Sequence, residues 1–111
     1  MANPTYVYAG AGHWTSGNDT QHPGGLWRKA VDGDTWQPLT RGLPEQAEIR
    51  AIAIHPHDAQ VVYAGTHQGP YRSSDAGENW ERLDFPDPAM VVWSFLFHPQ
   101  NPQTMYLGTA P

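Results

Sequence analysis

The sequence contains no cysteine, which excludes a disulfide framework and any thiolate metal site and leaves the redox compartment unread. Its basic residues are few: six Lys and Arg, only one of them a lysine, stand against eleven acids, for a formal net charge of −5. The basic face that nucleic acid demands is therefore missing, and anionic membranes are disfavoured on the same ground. No apolar stretch approaches the roughly 20 residues that cross a bilayer. The start Met1-Ala2-Asn3-Pro4-Thr5 lacks the charged region and apolar core of a signal peptide. The chain reads as soluble, with bacterial cytoplasm and secretion both open.

What the chain does have is turn chemistry and aromatic bulk. Eleven glycines and eleven prolines in 111 residues, with five tryptophans and five tyrosines, suit many short strands joined by tight turns rather than long helices. The length is that of one small domain. No nucleophile elbow, phosphate-cradling glycine loop or redox motif occurs, and no cofactor is expected. His55-Pro56-His57 looks like a metal-ligand pair, but His55-Pro56 is answered by His98-Pro99. That recurrence marks both histidines as repeat structure; no third ligand stands at a usable spacing, and no metal is expected.

Internal repetition decides the fold class. Tyr63-Ala64-Gly65-Thr66 echoes Tyr8-Ala9-Gly10 upstream and Tyr106-Leu107-Gly108-Thr109 downstream. Ile49 to Pro56 is answered by Val92 to Pro99, and Trp27 to Trp36 aligns with Tyr71 to Trp80. A period of about 43 residues holding four short strand signals is the signature of a propeller blade. With strands lettered A (innermost) to D (outermost), the chain reads B at 5–10, C at 25–29 and D at 35–39. A complete blade follows, with A at 49–55, B at 61–66, C at 70–74 and D at 80–83, and then A at 91–98 and B at 104–109.

The expected fold is thus all-β, an incomplete β-propeller of four-stranded antiparallel meanders. It divides into a partial first blade over 1–40, a complete blade over 41–84 and a partial third blade over 85–111. Both A strands carry apolar residues on two faces, with small Ala51, Ala53 and Ser94 on one, as strands buried on both sides do. About two and a quarter blades are fewer than the four to eight that close a ring. The chain reads as a piece of a longer propeller, or as a unit that self-associates through open sheet edges.

The sharpest motif is Ser73-x-Asp75-x-Gly77-x-x-Trp80, set between two strand signals. Asp75 is suited to an Asx-type turn against backbone N–H groups ahead of it, Gly77 accepts positive φ, and Trp80 folds its ring back over the turn. A decayed copy keeps Gly33 and Trp36, while Lys29 and Val31 replace the Ser and Asp; Asp32 is expected to supply the turn acceptor from one residue later. The stretch resembles the Asp-box, or bacterial neuraminidase repeat, of sialidase-like β-propellers and matches it at all four positions. That resemblance implies a structural clasp, not a catalytic site, at Ser73, Asp75, Gly77, Trp80, Asp32, Gly33 and Trp36. Families similar in this motif include sialidases, xyloglucan-active glycoside hydrolases, sortilin-type receptors and photosystem II assembly factors, and fold does not choose among them.

Ligand candidates follow from the meander. Successive connections alternate between the two ends of each sheet, so A–B and C–D turns share one propeller face and B–C and D–A loops the other. The first B–C connection, Tyr8 to Trp27, is more than twice as long as Tyr63 to Tyr71. It carries His13, Trp14, Asn18, Asp19 and His22, aromatic and hydrogen-bonding groups suited to sugars or polar ligands. His67 and Gln68, the D–A residues Arg41, Glu45 and Glu48, and Asp84 with Asp87 belong to the same face. Arg50 enters at the start of an inner strand near the axis, where a guanidinium is placed to hold a carboxylate.

The sialidase resemblance implies a cluster of three arginines, but Trp93 stands at the repeat position of Arg50 and no Arg-Ile-Pro motif occurs near the N-terminus. No catalytic residue is assigned. The expected function is a non-catalytic module that binds a protein or glycan through the B–C and D–A face. A glycoside hydrolase fragment, sialidase-like or xyloglucan-active, and a structural unit that oligomerises are the alternatives.

Overall fold

The computed structural model describes residues 5–12, 14–15, 21–22, 24–87 and 90–110. Every regular element among them is a strand. In chain order these are β1 (Tyr6–Ala11), β2 (Trp14–Thr15), β3 (Gln21–His22), β4 (Gly25–Ala30), β5 (Gln37–Pro38), β6 (Ile49–His55), β7 (Asp58–Thr66), β8 (Gly69–Ser73), β9 (Glu81–Arg82), β10 (Val91–Phe97) and β11 (Met105–Ala110). They form sheets ordered β1-β4-β5, β6-β7-β8-β9 and β10-β11, and β2 pairs with β3 as a small hairpin inside the long first connection. All pairings are antiparallel. The fold is all-β, with meanders set side by side as in a partial propeller: β6 packs against β1 on one side and β10 on the other. No helix among the described residues is long and apolar enough to cross a membrane.

The recurring Tyr-x-Gly has a physical reason. A Cβ at Gly10 would stand 2.8 Å from the Ile49 Cβ, and one at Gly65 would stand 2.7 Å from the Val92 carbonyl oxygen. Ile49 and Val92 occupy the same repeat position and are 6% and 0% exposed. Each such glycine is therefore a notch in a B strand, into which the next inner strand sets its first buried side chain. Directly after that anchor each inner strand is irregular. The register shifts between Ile49 and Ala51 and between Val92 and Ser94, which lifts Arg50 and Trp93 out of the ladder.

The main core fills the seam between the first two sheets. Leu26, Leu39, Ala47, Ile49, Val62, Ala64, Tyr71 and Trp80 form one buried cluster, with Tyr8, Leu43 and Ile52 packed against it. Each large apolar side chain gains about 1.5–3 kcal/mol by such burial. The second seam is aromatic: the Tyr63 ring lies 5.9 Å from Phe95 and 5.8 Å from Phe97, and His55 meets Phe97 edge-on at 5.5 Å.

Inner strands buried on both faces were the expectation, and the structure corrects it. Ile54 is 43% and Leu96 64% exposed. Among the described residues β6 and β10 each pair along one edge, with β7 and β11, and Ile54 borders an open cavity beside Tyr6, Tyr8 and Ala76. The outer strands are shorter than the D strands expected at 35–39 and 80–83: Trp80 spends its N–H on the Arg41 carbonyl, while the Leu39 and Leu83 N–H groups still reach β4 and β8, at the Leu26 and Pro70 carbonyls.

Candidate functional site

The two faces of the sheet assembly differ in kind. On one, the Ser73–Trp80 turn is closed by its own side chains. The Ser73 hydroxyl donates to Asp75 Oδ1 at 2.7 Å and accepts the Gly77 N–H at 2.8 Å. Asp75 Oδ1 also accepts the Asn79 N–H at 2.9 Å, and Oδ2 accepts Asn79 Nδ2 at 2.8 Å. Ala76 and Gly77 both have positive φ, 61° and 101°, and Trp80 folds back so that Nε1 donates to the Gly77 carbonyl at 2.8 Å. Partial burial pushes the Asp75 carboxyl up, but the Asn79 side chain and N–H, the Ser73 hydroxyl and the Glu78 N–H outweigh it and hold the group at about 2. A carboxylate so fully occupied by donors is a clasp, not a base.

The earlier copy of this turn closes differently. Gly33 N–H donates to the Ala30 carbonyl at 2.9 Å, and Lys29 Nζ donates to the Gly33 carbonyl at 3.2 Å. Asp32 is exposed and has no hydrogen bond among the described residues. A backbone β-turn thus replaces the acceptor expected from Asp32. Trp36 is 43% exposed, with Lys29 Nζ 5.8 Å from its ring.

On the opposite face the two bulged residues meet. The Arg50 guanidinium lies 4.9 Å from the centre of the Trp93 ring, and its Nη2 donates to Glu48 Oε1 at 3.1 Å. Trp93 is 49% exposed. The B–C connection of the preceding blade comes in against the same group, since a Cβ at Gly12 would lie 3.0 Å from Arg50 Nη1. His67 ties the loops beneath: its Nδ1 accepts the Glu48 N–H at 3.1 Å, and its own N–H donates to the Glu48 carbonyl at 3.2 Å. The Gln68 side-chain amide nitrogen lies 3.4 Å from the other ring nitrogen, Nε2. The connection that bears Glu48 also walls a cavity of about 420 Å³ with Gly24, Trp27, Pro38, Leu43 and Glu45.

Of the residues expected on this face, Arg50, His67 and Gln68 come together with Glu48, and Trp93 joins them. Arg41 does not: its carbonyl accepts the Trp80 N–H at 2.8 Å, beside the Ser73–Trp80 turn. The connection after a two-residue outer strand runs down along the next blade before it reaches the opposite face. His13, Asn18 and Asp19 lie outside the described residues, and Trp14 and His22 are placed only as backbone partners in the β2–β3 hairpin. Asp87 takes a turn role, its carbonyl accepting the Met90 N–H at 3.1 Å. His55 Nδ1 accepts the His57 N–H, and His98 Nδ1 those of Gln100 and Asn101, so both histidines serve their A–B turns. Among the described residues no group of three or more His, Asp or Glu converges to hold a metal.

No protein-family model matches the chain. A xyloglucanase of Acetivibrio thermocellus is 32% identical to it over 101 residues, covering 82% of this chain and 12% of that protein. A xyloglucanase of a Paenibacillus species is 30% identical over 99 residues, covering 81% of this chain and 10% of that protein. The chain thus spans a small part of the length of the curated relatives it matches.

Proposed function

We propose that this chain is a propeller section of a glycoside-hydrolase-type protein, clasped by an Asp-box at Ser73–Trp80, that contacts xyloglucan through the Arg50–Trp93 platform. The observation that carries the reading is the stack of Arg50 on a half-exposed Trp93, with Glu48 on the same guanidinium. An exposed indole offers a flat apolar surface to the C–H face of a glucose ring, while Glu48 and Arg50 supply an acceptor and donors for its hydroxyls. Because Glu48 already answers the charge of Arg50, the platform favours a neutral polysaccharide over the carboxylate of a sialic acid. The similarity to xyloglucanases over four-fifths of the chain supports the same substrate class. Hydrolysis needs two carboxylates converging across a cleft; the part assigned to this section is contact, not turnover.

Titration of the chain with xyloglucan oligosaccharides tests the proposal calorimetrically. Trp93→Ala is expected to weaken binding at least tenfold, about 1.4 kcal/mol, with no binding of sialosides. Unchanged affinity of the variant, or turnover of xyloglucan by the isolated chain, overturns the reading.

A further inference from the structure

The connection that leads to Glu48 encloses a cavity of about 420 Å³, bounded by residues 24–27, the end of β5 and the loop 43–47. Trp27, Leu39 and Leu43 give it apolar walls, while Glu45 and Gln46 are exposed at its rim. The opening follows from one difference between the blades. Pro38 faces Trp27 across β4 and β5, as Arg82 faces Tyr71 across β8 and β9. In the second blade Arg82 Nε donates to the Gln68 carbonyl at 3.0 Å, and a Cβ at Gly69 would stand 3.2 Å from its Nη2. That guanidinium covers the place, and Tyr71 beside it is 6% exposed. In the first blade Pro38 has no such arm, so the Gly24 carbonyl, counterpart of Gln68's, lacks that donor. Trp27 lies over Gly25 instead, where a Cβ would stand 2.7 Å from Cη2 of its ring, and the indole is only half-buried. The loop wall is fixed: a Cβ at Gly24 would overlap the Ala47 carbonyl, and Gln46 is held at a φ of 51°, in the strained left-handed region.

We propose that the Trp27 cavity takes a xylosyl branch of the polysaccharide whose glucan backbone lies on the Arg50–Trp93 platform; the inference rests on that reading of the platform. Position favours it. Ala47 of the cavity wall precedes Arg50 by three residues, so their Cα atoms lie within about 11 Å of each other. Size and lining favour it too. The volume falls in the range of small-ligand sites, roughly 300–1,000 Å³. A xylosyl ring lacks the hydroxymethyl arm of glucose, and its more apolar surface suits Trp27, Leu39 and Leu43, while the Glu45 carboxylate and the Gln46 amide meet its hydroxyls at the rim. Glu45 is the one charged residue in the lining, so a uronate or phosphate finds no cation there.

Calorimetric titration of the 111-residue chain with a xyloglucan oligosaccharide, and with the unbranched cello-oligosaccharide of the same backbone length, tests the inference. The branched ligand is expected to bind at least about tenfold more tightly. Trp27→Ala is expected to remove that preference while changing the affinity for the unbranched ligand by less than about twofold, whereas Trp93→Ala weakens both. If Trp27→Ala does not fold, Pro38→Arg carries the test: it supplies the guanidinium that covers the matching place over Gly69, and the preference is expected to vanish. Equal affinity of the unaltered chain for the two ligands, or a preference that survives either folded variant, overturns the branch pocket and leaves the platform standing. Binding of neither ligand overturns the platform reading and the pocket with it.

Discussion

Arg28 of β4 and Ala76 of the Ser73–Trp80 turn meet across the seam between two sheets, the guanidinium donating to the carbonyl at 2.6 Å with only 4% of the arginine exposed. The same guanidinium reaches Gln37 Oε1 at 3.0 Å and Glu78 Oε1 at 3.1 Å, and covers the Tyr6 ring at 4.3 Å. Its partners are unequal. Glu78 is 55% exposed on its side chain, so water competes for that ion pair, whereas the Ala76 carbonyl sits in the seam. Arg28→Met is expected to cost about 1.5–3 kcal/mol, the range for hydrogen bonds to a charged group. Glu78→Gln is expected to cost less than about 1 kcal/mol. Urea titrations of both variants check the ranking, and equal losses contradict it.

The two aligned tryptophans are not equivalent. Trp80 is 6% and Trp36 43% exposed. Trp80→Ala is expected to lose about 3–5 kcal/mol by leaving a cavity in the main core, and Trp36→Ala about 0.5 kcal/mol or less, as at an ordinary surface site. Denaturant midpoints at constant slope distinguish these outcomes.

Acid acts on Asp75. Its folded-state value of about 2 lies below the 3.8 of an unperturbed aspartate, so the stability it contributes is present above the unfolded value and is lost as pH falls from about 4 through 2. A fall in melting temperature over that window, shallower in Asp75→Asn, is the expected result.

Alkali acts on Tyr8. Burial raises its phenol above 10.0 against the pull of Arg28, and the protonated hydroxyl is the donor to Ala76. The contribution is therefore complete below pH 10.0 and is lost as pH rises through the folded-state value. Tyr8→Phe is expected to flatten the alkaline limb of the stability profile.

The strand repeat was legible because each blade must reuse the same close contacts: the notch glycines Gly10 and Gly65 accept Ile49 and Val92. The Ser73–Trp80 turn was legible because its hydrogen bonds are local, within four residues. Contacts between blades were not. Arg28 and Arg72 read alike in sequence, yet one is buried on a carbonyl 48 residues away and the other has no such partner among the described residues. Trp93 read as a departure from an arginine pattern; its role as the surface beneath Arg50 depends on two bulges at matching positions, which composition does not encode. Arg41 sits beside the Ser73–Trp80 turn through the bond from the Trp80 N–H to its carbonyl, a contact between segments far apart in sequence that the meander pattern does not encode.

The Arg50–Trp93 platform is the centre of the functional account, and the indole N–H signals of the chain test it most directly. On titration with xyloglucan oligosaccharide, the Trp93 indole and the Gly12 amide are expected to shift progressively and saturably, while the Trp80 indole, bonded to the Gly77 carbonyl on the other face, stays in place. Saturable shifts confined to other residues, or none at millimolar sugar, contradict the account.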